Sequence, residues 1–121
     1  MKVSYRVWLD QRGKAFGEGP YRLLKRVGKT ASLNQAASDM GMAYSKAWRM
    51  IRTLEERLGF ALLERKVGGP AGGGSKLTPE AENLLRQYEC FRKDVKTALG
   101  KIYLRHFGKT FTSTNGRLSK T

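Results

Sequence analysis

The chain has 121 residues, a formal net charge of +14 and a pI near 10.4. That length sets one domain as the expectation and leaves no room for a second ligand-binding domain beside a core. The charge points to a polyanionic partner, nucleic acid before an anionic membrane, and no metabolite enzyme needs such an excess. The single cysteine, Cys90, excludes an intrachain disulfide and a multi-cysteine zinc site, and its helical context reads as a small buried residue. The lone His106 leaves no Ser/His/Asp set, and no paired-carboxylate or metal-ligand cluster stands out, so neither an enzyme nor a cofactor is expected. No apolar run reaches membrane-spanning length, and the N-terminus lacks a signal-peptide core, which predicts a cytoplasmic, nucleoid-associated protein with no membrane partner.

In chain order, Val3, Tyr5, Val7 and Leu9 alternate with Ser4, Arg6, Trp8 and Asp10, which predicts a strand with one buried face. Residues 11–14 read as a turn. Gly19-Pro20 opens a first helix with Tyr21, Leu23, Leu24 and Val27 on its apolar side, ended by Gly28. Thr30 or Ser32 can cap the next helix. Leu33, Ala36, Ala37 and Met40 then recur at helical spacing, and Gly41 breaks the run. Beyond it, Ala43, Ala47, Met50, Ile51, Leu54 and Leu58 mark one face of a longer helix. Two helices joined by so short a turn are the pattern of a helix-turn-helix, whose second helix enters a DNA major groove.

The outer face of that second helix carries Tyr44, Ser45, Lys46, Trp48, Arg49 and Arg52, groups able to reach base edges and phosphates. Arg52 suits a phosphate better than a base. Trp48 and Tyr44 suit packing as well as DNA contact, and the whole segment also fits an αα-hairpin with a solvated basic face.

After Gly59, residues 60–65 read as a short apolar strand and Lys76-Leu77-Thr78 as a returning one. The glycine-rich stretch of residues 68–75 between them makes a wing, flanked by Lys66 and Lys76. It is not a nucleotide loop, because no Gly-Lys-Ser/Thr follows. Thr78-Pro79-Glu80 starts a last helix, expected over about 79–105, with Glu80 and Glu82 against the positive end of its dipole. Its stripe of Leu77, Ala81, Leu84, Tyr88, Phe91, Val95, Ala98 and Ile102 is heptad-like and could pack on its own small domain, but its length argues instead for a two-fold helix pair between subunits. Leu84, Tyr88, Phe91, Val95, Ala98 and Ile102 are therefore the expected dimer contact. Residues 106–121 are expected to be a basic, flexible tail after a winged domain over 1–105; no acidic residue follows Asp94.

The expected fold is mainly α with a small β-wing: a winged helix-turn-helix with a long C-terminal dimerisation helix. Residues 32–85 resemble the N-terminal DNA-binding domain of the molybdate-responsive regulator ModE and, more distantly, LysR-type winged helices. The likeness rests on Ala36-Ala37, residues 42–48 (MAYSKAW), Leu63-Glu64-Arg65 and the glycine wing running into Leu77-Thr78; Leu54-Glu55-Glu56-Arg57-Leu58-Gly59 is closer to the LysR type. The resemblance implies a homodimer on double-stranded DNA that reads a near-palindromic site. It does not carry over molybdate sensing, since the sequence stops before an oxyanion-binding domain, and no small-molecule ligand is identifiable. A sequence-specific transcription regulator is the expected function. A non-specific nucleoid or architectural protein and a winged-helix protein-interaction module are the alternatives.

Overall fold

A computed structural model describes residues 1–66 and 74–111. Its elements are β1 (Leu9–Asp10), β2 (Lys14–Phe16), α1 (Glu18–Thr30), α2 (Leu33–Asp39), α3 (Tyr44–Leu58), β3 (Leu63–Lys66), β4 (Gly74–Leu77) and α4 (Pro79–Phe111). Two compact units result. Residues 7–88 form one, and residues 1–6 with the described residues from Glu89 to Phe111 belong to the other.

In the first unit the predicted helix spacing builds the core. Leu23, Leu24 and Val27 of α1 are completely buried, as are Ala36 and Ala37 of α2 and Ala47 of α3. Burying each of the larger side chains contributes about 1.5–3 kcal/mol. The alanines matter for the opposite reason: having no bulk, they let helix backbones approach. Ile51 and Leu54 extend the buried stripe of α3, whereas Ala43 is exposed and Met50 and Leu58 are half-buried.

The helix ends follow local chemistry. Ser32 caps α2, its hydroxyl oxygen accepting from the Gln35 N–H at 3.0 Å. Gly41 takes φ +66° in the turn, and the Met42 N–H closes onto the Ala37 carbonyl at 2.8 Å. Helix α1 runs two residues past Gly28, because the αL residue that ends it is Ala31 at φ +57°.

Three anchors seat the β3–β4 wing on the helices. The Ser75 N–H donates to the Ala31 carbonyl at 3.0 Å. The Leu62 N–H donates to the Glu55 carboxylate at 2.7 Å. Thr78, buried in the strand-to-helix turn, donates its hydroxyl to the Ala61 carbonyl and accepts from the Ala81 N–H, capping α4 while tying it to the wing.

Several expectations are corrected. The strand over residues 3–9 is absent: only Leu9–Asp10 pair, with Lys14–Phe16, and Val3 and Tyr5 are exposed. Strand β2 has three residues and offers no ladder for a longer partner. Tyr88, expected at a dimer contact, is 3% exposed and sits in the core, its ring 5.1 Å from Phe16 and 5.3 Å from Tyr21. Leu84 is half-buried against the same core, and Leu85, outside the expected stripe, is buried. Cys90 is exposed rather than buried. Helix α4 continues to Phe111, so residues 106–111, expected in the tail, are helical. The wing tip and the rest of the tail lie outside the described residues.

In the second unit the Tyr103 hydroxyl donates to the Met1 carbonyl at 3.1 Å, and the Tyr103 and Phe107 rings lie 5.6 Å apart. Phe91 and Ile102 are more than two-fifths exposed, Ala98 is exposed and Val95 half-buried.

Ala47→Leu tests the close helix crossing. Forcing three extra carbons between α2 and α3 is expected to cost about 1–3 kcal/mol in urea denaturation, against less than about 0.5 kcal/mol for Lys46→Ala on the exposed face.

Candidate nucleic-acid interface

Helix α3 presents two differently furnished sides. Burial of Ala47, Ile51 and Leu54 fixes its rotation, and 3.6-residue periodicity does the rest. Tyr44, Ser45, Lys46, Arg49 and Arg52 are all exposed. Trp48 is half-buried, packed against the core on one side, with the Arg52 guanidinium 5.0 Å from the centre of its ring. Packing and surface roles therefore coexist in one side chain, and the cation–π contact holds Arg52 in place over an aromatic platform.

The side facing the wing is concave. Tyr44, Ser45, Trp48, Arg49 and Arg65 line an open depression of about 320 Å³. A smaller hollow of about 160 Å³ adjoins it, where Arg52 and Glu55 of α3 meet Leu63, Arg65 and Ser75 of the wing. Arg65 and Ser75 are directly opposite in the β3–β4 ladder. Both are missing from the sequence-based site, although alternation from Leu63 puts Arg65 on the side turned to α3. Lys76 falls on the other sheet face, directly across from Glu64. It does not join the Tyr44–Arg49 depression. Lys66 is the last residue of β3; its side-chain placement lies outside the described residues.

The chemistry of the depression is specific. Across the two hollows, three guanidinium groups (Arg49, Arg52 and Arg65) border the Tyr44 and Trp48 rings, with the Ser45 hydroxyl beside them. Arginine matches phosphate and guanine edges in bidentate fashion, while rings and hydroxyls add apolar and hydrogen-bonding contacts to bases. Among the described residues no three His, Cys, Asp or Glu side chains gather in a way that could hold a metal ion.

A two-helix turn of this kind with a packed first helix and an adjoining two-stranded wing defines a winged helix-turn-helix domain. The chain belongs to the lysR family of bacterial regulatory helix-turn-helix proteins, whose family model matches residues 20–82. It is 32% identical over 96 residues to the molybdenum-pterin-binding protein MopB of Rhodobacter capsulatus, covering 79% of this chain and 36% of that protein. It is 36% identical over 91 residues to the DNA-binding transcriptional dual regulator ModE of Escherichia coli, covering 74% and 34% respectively. The chain thus spans about a third of the length of these curated relatives. In three dimensions it is similar to the BenM DNA-binding domain in its crystal complex with benA site 1 DNA, with a TM-score of 0.53 at 27% identity over 74% of this chain and 96% of that one.

Gly74→Ala tests whether the wing is seated by backbone contact. A Cβ at residue 74 would lie 2.8 Å from the Ala31 carbonyl oxygen, so the strand must shift. The expected result is faster hydrogen exchange at the Ser75 amide, with the Ala47 and Ile51 amides unchanged.

Proposed function

We propose that this chain is a sequence-specific, DNA-binding transcription regulator that acts as a homodimer at the nucleoid. The observation that carries the reading is the pair of adjoining hollows between α3 and the wing, where the exposed side chains of Tyr44, Arg49, Arg52 and Arg65 gather around the half-buried Trp48. The recognition set is Tyr44, Ser45, Trp48 and Arg49, with Lys46, Arg52 and Arg65 at phosphates or neighbouring bases. The solved BenM complex supports it, because a DNA-binding domain of similar fold is seen there with DNA.

The dimer contact is assigned to α4. Phe91, Val95, Ala98 and Ile102 step by four, three and four, which sets them on one helical face, and three of the four are exposed. A pair of such helices related by a two-fold axis would bury the stripe, and a two-fold dimer of helix-turn-helix domains reads half-sites about one DNA turn apart. Leu84 and Tyr88 are left out of this contact, since the core already takes them.

The net charge of +14 also suits a non-specific architectural protein. The two readings separate by measurement. Fluorescence anisotropy with duplex DNA is expected to show affinity falling roughly thousandfold or more between 50 and 200 mM salt, as several phosphate contacts require. Arg49→Ala is expected to reduce discrimination between a selected site and random sequence by about 1–3 kcal/mol. Lys76→Ala is expected to leave that discrimination unchanged. Equal protection of every sequence at physiological salt would establish the architectural role instead.

Ile102→Glu tests the dimer. A charge in the middle of the α4 stripe is expected to turn the sedimenting species from dimer to monomer, while circular dichroism keeps the helical signal. Unchanged sedimentation would remove α4 from the interface.

A further inference from the structure

A second groove lies along α3 on the side away from the wing, and it shares only Lys46 and Arg49 with the proposed DNA contact. It is open, about 540 Å³ in volume, and lies between α3, the start of α1 and the β1–β2 hairpin. Its walls are apolar: Trp8, Pro20, Met50 and Leu54. Four cations line it as well, Lys14 from the hairpin and Lys46, Arg49 and Arg57 from α3, and among the described residues no carboxylate does.

The groove is built rather than incidental. Arg57 donates to the Lys14 carbonyl at 2.7 Å and fastens the hairpin to the C-terminal end of α3. Gly13 passes so close that an added Cβ would meet the Arg57 guanidinium carbon at 2.9 Å. Trp8 lies flat enough on Gly17 that a Cβ there would meet its ring at 2.7 Å, and the Lys14 ammonium sits 5.0 Å from the ring centre. Trp8 as a whole is nonetheless 38% exposed.

We propose that this groove binds a small organic anion: a flat apolar body carrying a carboxylate. The volume is that of a small-molecule site, the walls suit an aromatic or aliphatic body, and the cations suit one negative end. Duplex DNA fits it poorly, because a phosphodiester backbone would leave the Trp8 and Met50 surfaces uncovered. A second copy of so basic a chain would meet like charge there. Lys46 and Arg49 belong both to this groove and to the exposed N-terminal half of α3, so a bound anion would draw them away from phosphates and weaken DNA binding. That consequence rests on the DNA reading; occupancy of the groove does not.

The test is therefore run without DNA. Amide and indole NMR spectra of the labelled full chain are recorded during titration with 2-naphthoate and with its neutral twin 2-naphthamide. Trp48→Phe assigns the two indole signals. The expected result is a saturable shift of the Trp8 indole and of the Met50 and Thr53 amides, with naphthoate binding about fivefold more tightly than naphthamide. Lys46→Gln should narrow that difference. Thr53→Phe, at an exposed position lining the groove, should abolish saturation without disturbing the remaining spectrum. No saturable Trp8 shift, equal affinity for acid and amide, or full binding by Thr53→Phe would each overturn the proposal. Loss of duplex binding on saturation with naphthoate would establish the antagonism, and undiminished duplex binding would refute that consequence alone.

Discussion

The close crossing of α2 and α3 is the constraint from which the rest follows. Ala36, Ala37 and Ala47 are all fully buried, and none has a side chain beyond Cβ to hold the helices apart. Gly41, at φ +66°, makes the turn short enough for that crossing to occur within a few residues. Once Ala47, Ile51 and Leu54 face inward, helical geometry leaves Tyr44, Ser45, Arg49 and Arg52 outward. The exposed face is thus a by-product of core packing. Its chemistry was free to vary without affecting the fold, which is why a functional surface can be placed there.

The wing depends on α3 as well, and on the ends of α1 and α4, through directional bonds instead of apolar area. Glu55 lies on α3, Ala31 ends α1, and Thr78 starts α4. Each supplies one polar atom to the chain that enters or leaves β3 and β4. Arg65 is carried to Trp48 and Arg49 by this frame, since the β3–β4 register alone would not fix the wing's position against α3. Sequence-distant cations reach one depression because backbone carbonyls and a carboxylate set the strand that bears them.

The helical part of this arrangement was legible in the sequence. Periodicity from Leu33 to Leu58, the Ser32 cap and the Gly41 break placed α2 and α3, and the Gly-rich stretch between short strands placed the wing. Alternation over residues 3–10 does not make a full strand, because it reports a potential face and not a partner. Val3 and Tyr5 alternate correctly, yet only Leu9–Asp10 find a ladder. Tyr88 lies in the core for a related reason. The apolar stripe of α4 is continuous in sequence, but what covers each part of it is decided by tertiary packing, and Phe16 and Tyr21 close over Tyr88. The hairpin groove left no sequence signal at all, because its walls come from positions as far apart as Trp8 and Leu54.

The central claim is that the outward face of α3 reads base sequence as one of a symmetric pair. Selection of bound duplexes from a random DNA pool, followed by sequencing, addresses it most directly. The account predicts enrichment of an inverted repeat whose half-sites are centred about ten base pairs apart, and loss of the most strongly selected base when Arg49 is replaced by alanine. A pool that stays random after repeated rounds, or an enriched motif that Arg49→Ala leaves unaltered, would contradict it.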